Sequence, residues 1–180
     1  RWEDIYQQFP RLARWAPFQT TGHWADADML PLGHIGLRAE RGDDRQSRLT
    51  EDESRTLLAL WCMGRSPLMV GGDLPTSTSE TIELLANPAL REVTAGSTNN
   101  HETVYERIFE RWDDENSYLG DLVVWAADAA DWADGTPSAH SGGHYAAIFW
   151  TGDRDYELPA TIELQSIVGL SQRNDPWTID

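Results

Sequence analysis

The sequence predicts a mixed α/β fold, in which a unit of alternating strands and helices precedes an antiparallel β module. Three observations carry this. Up to about residue 93, short apolar runs are followed by capped helical patterns, the order that builds parallel sheets. Beyond about residue 102 the apolar runs follow one another with no helix between them. The stretch between, TAGSTNNHE (94–102), is small and polar, as a boundary requires.

The elements follow in order. From Arg1 to Trp15 the residues Trp2, Ile5, Phe9, Leu12 and Ala13 recur at helical spacing with one apolar face. Pro17 ends that helix, because its ring disfavours helical geometry in the preceding residue. The segment 22–33, GHWADADMLPLG, follows as a short extended piece, and 38–49 is a polar loop of mixed charge. Thr50 and Glu53 form a capping box that opens a helix over Glu51–Met63, with Leu57, Leu58, Leu60 and Trp61 inside, and Gly64 closes it. Leu68-Met69-Val70 is a short apolar strand leaving through Gly71-Gly72-Asp73. Ser77 and Glu80 form a second capping box for a helix through Leu85, and Asn87-Pro88 opens one further turn. Thr103–Phe109, Leu122–Ala127, Tyr145–Trp150 and Tyr156–Leu164 are strand-like, with 128–144 as the longest loop.

Charge narrows the function classes. All 14 basic residues are Arg, and against 30 acidic side chains the formal charge is -16. That balance argues against nucleic acid or an anionic membrane as partner. No apolar run approaches the roughly 18 residues of a membrane span. The absence of Lys reflects either codon bias in a GC-rich genome or an acidic surface adapted to high salt. Under the second reading the intact protein loses structure below about 0.5 M salt, as screening weakens. Circular dichroism and activity across a salt series check this, and full activity in dilute buffer would exclude it. Cys62 stands alone in an apolar helical run and reads as a buried thiol. The chain opens on Arg1 inside a helical pattern and stops at Asp180 without an evident end to its last element, so it reads as a piece of a longer protein.

Chemistry concentrates in the segment 22–33. Asp26 and Asp28 stand two apart beside Trp24 and Met29, and on a strand such carboxylates share a face. Their spacing approaches the roughly 5–5.5 Å of a retaining glycosidase pair, although such pairs normally flank the scissile bond from different strands. A metal centre of His23, Asp26, Asp28 and His34 is a second reading, at a spacing that matches no compact zinc motif. In the third, the aspartates cap backbone amides while Trp24 and Met29 pack inward. Among the nine tryptophans, Trp2, Trp15 and Trp61 lie on helical stripes and Trp125 and Trp150 in strands, whereas Trp24 in the 22–33 segment and Trp132 in the long loop are the contact candidates. Neither His140 nor His144 has a carboxylate pattern around it.

Three ordered segments, GHWADADMLPLG (22–33), TEDESRTLLALWCMGRSPLMVGGDL (50–74) and SETIELLANPAL (79–90), resemble the C-terminal half of glycoside hydrolase family 27, the α-galactosidase or melibiase group. The resemblance is specific over about residues 1–93 and covers the rest only as a β module in the right place. It implies the C-terminal part of a (β/α)8 TIM barrel over 1–93, followed over 102–180 by an antiparallel β-sandwich module. It also implies a parent enzyme that cleaves terminal α-linked galactosyl residues from an oligosaccharide or glycoside, without metal or organic cofactor. Asp28 and Met29 match positions that line the galactose pocket, and Trp24 and Asp26 match supporting positions. An α-N-acetylgalactosaminidase, a β-L-arabinopyranosidase and a non-catalytic sugar-binding relative stay open. The nucleophile and acid/base aspartates of the family are expected upstream of Arg1; Arg1 and Asp4 do not supply the acid/base motif, because Asp4 belongs to a helix body. The Asn-Gln pair usual after the last barrel helix is replaced by Val93-Thr94-Ala95-Gly96. The 180 residues alone are therefore expected to be inactive and poorly stable.

Overall fold

The computed structural model describes residues 1–38, 42–112, 115–132 and 134–155. The first helix is divided into α1 (Trp2–Tyr6) and α2 (Gln8–Trp15). Pro10 accounts for the break, since it has no N–H to donate to the carbonyl of Tyr6. Ile5, Phe9 and Leu12 are buried, as their spacing requires. Trp15, expected in the core, is instead 60% exposed and meets Phe18 edge-on at 6.0 Å. Beyond it the chain tightens into a single turn at Ala16–Phe18.

Helix α3 spans Glu51–Met63 within its expected bounds. Thr50 Oγ1 accepts the Glu53 N–H at 3.2 Å while the Glu53 carboxylate accepts the Thr50 N–H at 2.7 Å, so two orphan donors are satisfied reciprocally. Its apolar face, including Leu57, Leu58, Leu60 and Trp61, is buried, and so is the Cys62 thiol, whose pKa burial pushes up. Helix α4 (Ser79–Leu85) is capped by Thr78, not by Ser77 as expected. The Ser77 hydroxyl is committed elsewhere, donating to the Asp73 carbonyl at 2.8 Å and accepting the His34 N–H at 3.1 Å. Asn87 caps α5 (Pro88–Ala95), which runs longer than the single turn expected.

The parallel strand order expected before residue 93 is present as a fragment, and no barrel closes among the described residues. Leu30 and Val70 form one parallel bridge, with the Leu30 N–H on the Met69 carbonyl at 2.7 Å and the Gly71 N–H on the Leu30 carbonyl at 2.9 Å. Leu68–Val70 is otherwise not a strand. Close approach here depends on glycine, because a Cβ at Gly72 would stand 2.1 Å from the Leu32 carbonyl oxygen. Within and beside the expected polar loop, β1 (His34–Ile35) and β2 (Arg45–Gln46) pair antiparallel.

After α5 the chain enters one antiparallel sheet of β3 (Ser97–Trp112), β4 (Glu115–Ala129) and β5 (His144–Trp150), in that order. Strands β3 and β4 extend well past their apolar runs, because backbone pairing continues through polar residues to Trp112↔Glu115. Among the described residues this is a single sheet rather than a sandwich, and the strand expected over Tyr156–Leu164 lies outside them. Alternation along β4 sends Val123, Trp125 and Ala127 toward the helices, where they share a core with Phe9, Leu57 and Phe149. Phe9 and Phe149 meet edge-on at 5.1 Å. Val124 and Ala126 point the other way and pack with Val104. No described helix is long and apolar enough to cross a membrane.

Polar contacts join α1 to the sheet. The buried Asp121 carboxylate accepts hydroxyls from Tyr105 at 2.6 Å, from Tyr118 at 2.8 Å and from Tyr6. Burial first, then the hydrogen bond to Asp121, raises the Tyr6 pKa far above the tyrosine range. An unfolded tyrosine ionises near pH 10, so above that the folded state holds the extra proton. The stability from this group is fully present below about pH 10 and declines as pH rises beyond it. Denaturant unfolding should show that decline, flattened by Tyr6→Phe; an unchanged slope in the variant would exclude Tyr6 as its source.

Candidate functional site

The chain from Trp24 to Met29 forms no regular element, and at Asp28 its φ is +83°. Left-handed geometry costs energy at a non-glycine residue, and aspartate tolerates it better than most. Local hydrogen bonds hold it. Asp26 Oδ1 accepts the Asp28 N–H at 2.8 Å, Asp28 Oδ1 accepts the Met29 N–H at 2.6 Å, and Trp61 Nε1 donates to the Asp28 carbonyl at 2.9 Å. The Ala27 between them is buried, its N–H on Ser66 Oγ at 2.9 Å.

This kink overturns the expected geometry of the aspartate pair. A left-handed residue breaks the two-residue alternation, so Asp26 and Asp28 do not project side by side as they would on a regular strand. Both cap backbone amides. Trp24 and Met29, packed inward in that same reading, are both exposed. Asp28 Oδ2 has no hydrogen bond with a described residue and remains available as an acceptor.

Asp28 and Met29 line an open depression of about 1120 Å³, together with Trp61, His34, Arg45 and residues of α1 and α2. Trp24 and Asp26 do not line it. Asp26 acts through the Asp28 N–H, and Trp24 faces a second groove. Asp4 lines the depression from the body of α1. His34 fastens one wall: its Nε2 meets Asp44, and its Nδ1 meets Thr76 Oγ1 at 2.6 Å. Thr76 in turn donates to Asp73 Oδ2 at 2.5 Å. His23 sits in a tight turn, where its N–H reaches the Thr20 carbonyl at 2.8 Å. Among the described residues no three His, Cys, Asp or Glu side chains come together as a metal centre needs.

Sequence reasoning placed Trp61 in the core and missed that its indole N–H pins Asp28. It also missed His144, whose Nδ1 lies 3.0 Å from Asp128 because the β4–β5 register sets the two opposite.

No family model matches the chain. The sequence is 28% identical over 142 residues to α-galactosidase 2 of Arabidopsis thaliana, covering 75% of this chain and 30% of that protein. It is 36% identical over 77 residues to the α-N-acetylgalactosaminidase of Rattus norvegicus, covering 43% of this chain and 16% of that protein. Its fold matches a GH27 β-L-arabinopyranosidase of Geobacillus stearothermophilus with a TM-score of 0.62 at 39% identity, over 72% of this chain and 27% of that one. This chain is a relative of the family 27 glycoside hydrolases. The Saccharomyces cerevisiae α-galactosidase solved with raffinose matches 96% of the chain and 32% of its own length, with a TM-score of 0.65 at 16% identity. That likeness is one of fold, and it extends over the helical part and the antiparallel sheet together. The chain thus spans 30% and 16% of the length of these two curated relatives.

Proposed function

We propose that this chain is the C-terminal part of a retaining family 27 glycoside hydrolase that removes terminal α-linked galactosyl residues. In this reading residues 1–93 complete a (β/α)8 barrel, which the parallel Leu30–Val70 bridge supports, and residues 102–180 form a β-sandwich domain. The observation that carries the proposal is Asp28, kinked, braced by Asp26 and Trp61, and holding an unused carboxylate oxygen at the edge of the depression. Such an acceptor suits sugar hydroxyls, and Met29 beside it offers an apolar surface to a ring face.

Retaining hydrolysis proceeds by double displacement. One carboxylate attacks the anomeric carbon, while the other protonates the leaving oxygen and then activates water. Both carboxylates lie outside Arg1–Asp180 in this reading, so the chain contributes binding and positioning, and the chemistry needs no metal or organic cofactor. A second reading, a β-L-arabinopyranosidase, is favoured by the 39% identity to the Geobacillus enzyme. Nitrophenyl α-galactoside, α-N-acetylgalactosaminide and β-L-arabinopyranoside offered to the full-length protein decide between them. Fastest turnover is expected on the α-galactoside. Fastest turnover on the arabinopyranoside would establish the second reading, and turnover of none would leave a sugar-binding protein.

A further inference from the structure

The two tryptophans left as contact residues in the sequence, Trp24 and Trp132, come together in a second groove of about 500 Å³. Arg65, Arg91 and Asp134 also line it. Each guanidinium lies over an indole, Arg65 Cζ 5.4 Å from the Trp24 ring centre and Arg91 Cζ 4.5 Å from that of Trp132. Contact with a ring face positions a guanidinium but leaves its in-plane N–H donors unused. Neither guanidinium makes a hydrogen bond or ion pair with a described residue. By contrast, Arg55 bonds Glu51 and Arg11 bonds Gln7.

The two guanidiniums stand in one groove with no carboxylate of a described residue within ion-pair distance. Asp134 attracts Arg91 electrostatically but stands outside ion-pair distance, and its Oδ1 accepts the Thr136 N–H at 2.9 Å within its own loop. Arg65 is half-buried, a cation that has lost part of its water without gaining an anion. The remaining wall is largely apolar. A free phosphate would satisfy the cations and leave that wall uncovered, whereas a carboxylate on a carbon ring serves both.

We propose that this groove binds a carboxylate-bearing sugar, a hexuronic acid residue, with Arg65 and Arg91 on the carboxylate and the indoles against the C–H surface. The inference is independent of the activity proposed for the Asp28 depression. Calorimetric titration of the full-length protein with the methyl glycoside of galacturonic acid, beside methyl galactoside and acetate, tests it. The uronide is expected to bind, and acetate at least roughly tenfold more weakly. Arg91→Gln should weaken uronide binding by roughly tenfold or more, the scale of a charged hydrogen bond. Arg91 is exposed, so that variant should fold as the parent does, which circular dichroism checks. Arg65→Gln should act in the same direction, and added salt should weaken binding. Asp28→Asn should leave uronide binding unchanged. The proposal is overturned if the uronide does not bind, if Arg91→Gln leaves its affinity unaltered, or if methyl galactoside responds to Arg91→Gln as the uronide does. It is equally overturned if Asp28→Asn abolishes uronide binding, which would place the ligand in the other depression.

Discussion

Asp121→Ala is expected to destabilise the protein by about 3 kcal/mol and to release α1 from the sheet. The carboxylate is fully buried and accepts the hydroxyls of Tyr6, Tyr105 and Tyr118. The three losses are unequal. Tyr105 and Tyr118 are 40% and 51% exposed, so water can take over much of what Asp121 supplied to them. The Tyr6 ring lies between Trp2 at 6.4 Å and Phe9 at 6.5 Å, and its hydroxyl reaches the sheet only through this cluster. The backbone of Asp121 would keep its ties to Thr151, so the damage stays at the junction. Urea unfolding measures the total, and amide exchange along α1 locates it. Asp121→Asn, which retains one acceptor oxygen, should cost about half as much. A loss below about 1 kcal/mol for the Ala variant would mean that solvent already satisfies the tyrosines.

What could be read in advance followed from how local each signal was. The α3 bounds were legible because the Thr50–Glu53 box and the apolar face lie within one continuous stretch. The α4 cap was misassigned because Ser77, equally suited by type, is drawn into bonds with Asp73 and His34, and the latter is 43 residues away. The division of the first helix was legible in Pro10 and was overlooked in favour of the hydrophobic period. Trp15 failed for the opposite reason: a helical period says which face is apolar, but not how far the opposing surface extends. Strand existence was clear from apolar runs in β4 and β5, while length was not, because pairing through Glu106–Glu110 depends on the partner strand. At the candidate site the geometry of Asp28 was not legible. Alternation assumes a regular strand, and the φ of Asp28 is set by Asp26 next door and by Trp61, 33 residues on.

That geometry sharpens the test of Asp28. In the intact protein, Asp28→Asn is expected to raise KM and to lower kcat/KM by about 1–3 kcal/mol, the worth of a hydrogen bond to a charged group. Asparagine is the informative replacement because it tolerates left-handed backbone as aspartate does, and its Oδ1 can still accept the Met29 N–H. The strand end should therefore stay in place while the free oxygen loses its charge and becomes an amide donor. A sugar hydroxyl that donates to Asp28 Oδ2 would then meet an N–H. Asp26→Ala separates the two roles. It removes the acceptor of the Asp28 N–H without touching the depression, so it should lower the melting temperature before it alters the ranking of substrates. Unchanged kinetics in Asp28→Asn would exclude a sugar contact at that residue. A change of substrate ranking in Asp26→Ala at unchanged melting temperature would make Asp26 a contact in its own right.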